Sequence, residues 1–125
     1  MISYEPIECV TLWTHADDAD LVSFDWLTKK AEFVSNVDGA KLVIMFDGEV
    51  IVRMLDELPL STESEPKDWA GIIPHHFAYR VEGDPFLVAQ SDTWQSMEPN
   101  LSHYRFLTGS GCLDVVTSAT PRFTI

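Results

Sequence analysis

Three residues near the end of the chain, His103, Arg105 and Asp114, have types and spacing that suit acid–base chemistry. His103 and Arg105 stand two apart in "HYRFLT", so in a strand they point to the same side. Gly109-Ser110-Gly111 then predicts a hairpin turn into "CLDVVTS". With Ser110-Gly111 as a two-residue turn, Leu107 faces Asp114 and Arg105 is a diagonal neighbour, so all three share one face. An imidazole, a guanidinium and a carboxylate so grouped can move a proton on an anionic substrate. The same trio also suits a plain cross-strand salt bridge beside a histidine. A three-residue turn would put Asp114 on the opposite face.

A second candidate is the connection from Asp56 to Pro74, which contains most of "STESEPKDWAGIIPHH". It is longer than the roughly 4–6 residues usual for a connection in a compact domain. Asp56, Glu57, Glu63, Glu65 and Asp68 give it a dense negative charge, offset only by Lys67. Trp69 is a candidate anchor for a pocket on a partner protein; it can equally pin the segment to its own sheet. The segment would serve as a charged interface, or as a lid over the His103/Arg105/Asp114 group.

Other chemistry lacks its residues. Cys9, Cys112, His15, His75, His76 and His103 form no CxxC, HxxxH or HxH pattern, and adjacent His75 and His76 point to opposite sides of an extended chain. "DDAD" lacks the glycine and the twelfth-position acid of a calcium loop, so no metal is expected. No nucleophile elbow, phosphate loop or dinucleotide fingerprint is present, and no cofactor is expected. Both cysteines sit in apolar runs and read as buried, reduced thiols.

Charge is the strongest compositional signal. Twenty acids against eight bases give a net charge of −12 over 125 residues. Glu5, Glu8, Asp17, Asp18, Asp20 and Asp25 precede the first basic residue, Lys29. Such a field repels nucleic-acid phosphates and steers a basic protein partner toward contact. No apolar run of about 18 residues is present, so no membrane span is expected. The opening "MISYEPIECV" does not read as a secretory signal, which makes the cytoplasm the expected location.

The elements that must position these residues form, by expectation, a single α+β domain over 1–125. "CVTLW" reads as a strand. "THADDADLVSFDWL" reads as a helix capped by Thr14, with Ala19, Val22, Trp26 and Leu27 on its apolar face. "AEFVSN", "KLVIMF" and "EVIVRML", separated by Asp38-Gly39 and Asp47-Gly48, predict a three-stranded meander. "HFAYRV" alternates as a strand. Asp84-Pro85 then starts a helix that ends at Pro99; a rival reading pairs "FLVAQ" with "HFAYRV" and begins the helix at Ser91. A C-terminal hairpin and a short edge strand, "RFTI", complete an antiparallel sheet of about five to seven strands with two helices on one face.

The stretch "HYRFLTGSGCLDVVTS", with "PLSTES" and "HHFAYRVEG", resembles a small uncharacterised family of bacterial proteins. That resemblance implies no catalytic residues. More loosely, the short acidic chain resembles the immunity proteins of bacterial toxin systems. That likeness implies an inhibitor covering a basic toxin such as a nuclease, whose active site is cationic because it holds phosphate. The alternative is a small enzyme or ligand-binding domain built on His103, Arg105 and Asp114. A third reading is a subunit of a homo-oligomer with an unrelated role.

Overall fold

The computed structural model describes residues 2–7, 19–35, 39–56, 68–73, 76–88, 90–97, 100–109 and 111–124. The described residues form two β-sheets and two short helices. The larger sheet contains β1 (Ile2–Pro6), β5 (Val50–Asp56), β6 (Trp69–Ala70), β7 (Ala78–Glu82), β8 (Ser102–Leu107) and β9 (Gly111–Thr117), in the order β5-β9-β8-β7-β1-β6. The smaller contains β2 (Ala19–Asp25), β3 (Lys30–Ser35), β4 (Lys41–Met45) and β10 (Arg122–Thr124), in the order β10-β4-β3-β2. The helices, α1 (Pro85–Val88) and α2 (Asp92–Met97), lie between β7 and β8.

The two sheets share one apolar core. Ala31, Phe33, Leu42 and Ile44 of the smaller sheet meet Ala78, Phe106, Leu113 and Val115 of the larger. Phe33 stands edge-on to Phe77, with ring centroids 4.7 Å apart, and Phe106 lies 6.1 Å from Phe33. Residues alternate across each strand. The face of the larger sheet turned away from this core therefore carries Tyr79, Val81, His103, Arg105, Cys112, Asp114 and Val116, all buried. That second buried face holds the candidate site.

Several expectations are corrected. The described part of the expected first helix is strand β2, and 8–18 lies outside the described residues along with "CVTLW". The strand carries a β-bulge. Leu21 pairs with Phe33 and Ser23 with Glu32, leaving Val22 unpaired. The bulge puts Leu21 and Phe24, three residues apart, on the same inward face, whereas the face expected for the helix is Ala19, Val22, Trp26 and Leu27. Val22, Trp26 and Leu27 are exposed rather than packed.

The meander is half present. β3 and β4 pair in antiparallel fashion, and β4 is interior to its sheet as its apolar faces imply. After Asp47-Gly48, however, β5 crosses to the larger sheet and pairs with β9. One sheet thus becomes two, with ten strands among the described residues. The expected helix at 84–99 is split: Asp84 caps α1 through a bond from Phe86 N–H to Oδ2 (3.0 Å), and Ser91 Oγ accepts from Trp94 N–H at α2 (3.2 Å). The described residues of "FLVAQ" do not pair with β7, whose two neighbours are β1 and β8. No helix among the described residues is long and apolar enough to cross a membrane.

Strand β6 is held by a close backbone approach. Gly71 has φ +95°, and a Cβ there would stand 2.0 Å from the Tyr4 carbonyl oxygen. Gly71→Ala should therefore destabilise the fold by about 1–3 kcal/mol and release Trp69 from Tyr4. A drop in urea midpoint with a red-shifted tryptophan emission would be observed; an unchanged midpoint would contradict the close approach.

Candidate functional site

The hairpin of β8 and β9 brings the first candidate group together. Arg105 pairs directly with Asp114, and Leu107 with Cys112. The register is shifted by two residues from the one drawn for a Ser110-Gly111 turn, because the closing pair is Thr108 and Gly111, with Thr108 N–H donating to the Gly111 carbonyl (2.9 Å). A shift of two preserves the face, so His103, Arg105 and Asp114 remain on one side.

Asp114 is the hub. Its Oδ1 accepts from His103 Nε2 and from Arg105 Nε, each at 2.7 Å. Its Oδ2 accepts from Arg53 Nε at 3.1 Å and Nη2 at 2.8 Å. An ionised carboxylate has about four lone-pair positions, and these four bonds occupy them. Because the carboxylate can only accept, His103 donates from Nε2. Arg105 also donates through Nη1 to the Tyr4 hydroxyl (2.5 Å) and lies 3.1 Å from Asp84 Oδ1. Asp84 Oδ1, His103 Nδ1 and Arg105 Nη2 make no hydrogen bond among the described residues.

The cluster reaches into five elements or their flanks. β5 supplies Arg53, β8 supplies His103 and Arg105, β9 supplies Asp114, and β1 supplies Tyr4. Asp84 comes from the turn before α1. Phe86 of α1 closes the group: the Arg53 guanidinium lies 4.2 Å from its ring centroid, and the His103 ring 5.4 Å away. His103, Arg105, Asp84 and Asp114 expose no side-chain surface (0%).

Burial sets the electrostatics. Burial alone would raise the Asp114 pKa. The His103 hydrogen bond and the Arg105 charge outweigh that and hold the carboxyl well below its ordinary range. Burial would lower Arg105, but Asp114 more than compensates, so its guanidinium is held charged. Burial pushes the Tyr4 hydroxyl up to about 12, against the pull of Arg105. The Cys112 thiol, 3.9 Å from Asp114 Oδ2, is pushed up to about 12 by burial and then by that carboxylate. A thiol so protonated is a poor nucleophile.

The acidic connection is described only at its ends. Glu57, Glu63 and Glu65 lie outside the described residues, as do His75 and Cys9. Asp56 and Asp68 are exposed. Trp69 is half-buried, its ring 5.4 Å from Tyr4. Two further ties follow it: the Tyr79 hydroxyl donates to the Ile73 carbonyl (3.0 Å), and His76 Nε2 donates to the Ile7 carbonyl (3.2 Å). The partner-binding and acid–base candidates thus meet at Tyr4, which touches both Trp69 and Arg105.

Sequence reasoning missed Arg53, Asp84 and Tyr4, which come from separated parts of the chain. An arginine within the apolar run "EVIVRML" was the available signal for Arg53, since a cation drawn into an apolar strand is held there against a partner. Among the described residues no group of three or more His, Cys, Asp or Glu is arranged to hold a metal ion. Comparison with protein families, with curated proteins and with solved structures finds no match to this chain.

Two measurements test the cluster. Asp114→Asn removes the charge that two arginines face and should destabilise the protein by about 3–5 kcal/mol at neutral pH. The native carboxyl titrates below its unfolded value, so its stabilisation is full above the ordinary 3.8 and is lost as pH falls through the lowered native value. Wild type should weaken as pH falls from the ordinary 3.8 toward the lowered native value, and the variant should lack this component. Urea unfolding between neutral and strongly acidic pH reads both effects; equal slopes would remove Asp114 as their source. In a Cys9→Ser variant, Cys112 should react with a thiol reagent only after unfolding, and rapid native labelling would show that the strand is open there.

Proposed function

We propose that this chain is an acidic binding protein that covers a basic protein partner, in the manner of an immunity-type inhibitor on a toxin such as a nuclease. One observation carries the reading. Arg53 and Arg105 are matched inside the protein by Asp84 and Asp114, so a quarter of the chain's cations are already neutralised internally. The surplus of twelve acids therefore belongs to the rest of the chain, where it acts on what approaches. A cationic active site is the kind of surface such a field steers toward and covers.

The alternative enzyme reading asks substrate to reach His103, Arg105 and Asp114. These groups have no exposed side-chain surface, and their hydrogen bonds are directed at one another. A fully buried, charge-balanced cluster holds strands together; general acid–base work needs a group within reach of the reacting atom. Burial therefore supports the binding reading. On it, Asp56, Glu57, Glu63, Glu65 and Asp68 supply the encounter field. Trp69, packed on Tyr4, fastens the C-terminal end of that segment to the sheet.

The test begins with capture of partners from extract of the producing cell, followed by association kinetics across salt concentrations. A basic partner whose association slows as salt rises is expected. Replacing Asp56, Glu57, Glu63, Glu65 and Asp68 with their amides should slow association several-fold and flatten the salt dependence, with dissociation little changed. Partners that are only neutral or acidic, or binding indifferent to salt, would overturn the proposal.

A further inference from the structure

The tip of the β2–β3 hairpin is fixed in place and apolar. Asp25 Oδ1 accepts from the backbone N–H of Leu27 (2.9 Å) and Thr28 (3.2 Å). Lys29 takes a left-handed φ of 56°, and its carbonyl accepts from Phe46 N–H (3.0 Å), tying the tip to the end of β4. This geometry leaves Trp26 61% and Leu27 92% exposed. Large apolar side chains held outward on a braced turn are unusual on a free surface and common at contact sites.

Beside the tip lies a cleft of about 740 Å³, lined by Trp26, Lys29, Phe46, Asp47, Glu49 and Trp94 among others. Two indoles and two carboxylates thus border one hollow. Asp47 is paired at the surface with Arg122 (2.7 Å). No ion pair engages the Glu49 carboxylate among the described residues. The Lys29 ammonium sits 3.5 Å from the centroid of the Trp26 ring. A cation over an indole face is drawn by the ring quadrupole, so the chain's own lysine already marks where a positive group rests.

We propose that this cleft receives an arginine side chain of the basic protein partner, and that Lys29 is an internal placeholder which the incoming guanidinium displaces. The inference rests on the proposed function and names the contact that gives it lifetime. A guanidinium is planar and weakly hydrated, so it stacks on an indole and sheds water more readily than a compact ammonium. The displaced Lys29 loses only an exposed contact and returns to solvent. Glu49 is placed to meet the arriving charge at the cleft edge. Trp94, half-buried on α2, supplies a second aromatic wall.

The test uses the full chain with hexa-arginine and hexalysine peptides as probes, read by the indole N–H resonances of its four tryptophans. Hexa-arginine should shift the Trp26 and Trp94 signals saturably and leave Trp69 in place, with hexalysine several-fold weaker. Trp26→Ala and Trp26→Leu should each weaken hexa-arginine binding about tenfold; the leucine variant keeps bulk without the ring, and an unchanged thermal midpoint checks folding. Lys29→Ala should tighten binding by more than Lys30→Ala, which removes the same charge one residue away. Equal effects of the two lysine variants, or no effect at Trp26, would overturn the cleft as the seat. Salt-sensitive binding of a basic partner that ignores Trp26 would overturn this inference alone. Failure of every basic protein and peptide to bind would remove the proposed function with it.

Discussion

The Asp114 carboxylate, held without contact with water between two arginines and a histidine, is the constraint to which the larger sheet answers. A lone charge there would cost several kcal/mol. Four charge-assisted bonds make the position tenable, and each bond fixes another element. Arg53 fixes β5 as the neighbour of β9, His103 and Arg105 fix the hairpin register, and Arg105 passes the constraint to Tyr4 on β1 and Asp84 before α1. A one-residue slip of β8 against β9 would carry His103 and Arg105 away from Asp114 to the opposite face. The register is therefore specified by charge on one face of the sheet and by aromatic packing on the other.

This arrangement separates two electrostatic tasks. Inside, opposite charges are balanced and spent on register. Outside, the imbalance is large and of one sign. The aromatic residues divide in the same way. Phe33, Phe77 and Phe106 fill the core between the sheets, and Tyr4, Tyr79 and Phe86 seal the polar cluster. Trp26 stands apart at the hairpin tip. On the proposed function, the surface combines a long-range field with a short-range apolar contact, which act on different stages of an encounter.

Much of this was legible in the sequence, and the failures have physical causes. Alternation in "HFAYRV", "HYRFLT" and "CLDVVTS" located β7, β8 and β9, and the parity of His103, Arg105 and Asp114 survived an incorrect turn because only odd shifts change face. Asp84-Pro85 and Ser91 marked real caps. Strand β2 was misread because Ala19, Val22 and Trp26 stand at helical spacing, although Val22 and Trp26 are exposed and the inward residues are Ala19, Leu21 and Phe24. The crossing of β5 was invisible because Asp47-Gly48 is equally good chemistry for a tight turn and for a bend between sheets. Strand β1 was missed because "ISYEP" is short and contains proline. Tyr4, Arg53 and Asp84 could not be joined to the trio because nothing local relates residues so far apart in the chain.

The position of β1 has a consequence for how the molecule is made. It lies inside the larger sheet, pairing antiparallel with β7, where Tyr4 faces Val81, and parallel with β6, where Ile2 faces Trp69. The strand that leaves the ribosome early therefore has no sheet to join until β7 has been synthesised. Tyr4 has no buried cation to meet until Arg105 follows. Contacts of such wide separation close slowly, because the entropy of a long loop must be lost before any bond forms. The smaller sheet, by contrast, is assembled largely from consecutive strands. Its β2–β3–β4 ladder can form first and present an apolar face. The later strands can condense on that face, and the interior charges can be matched only once β9 brings Asp114.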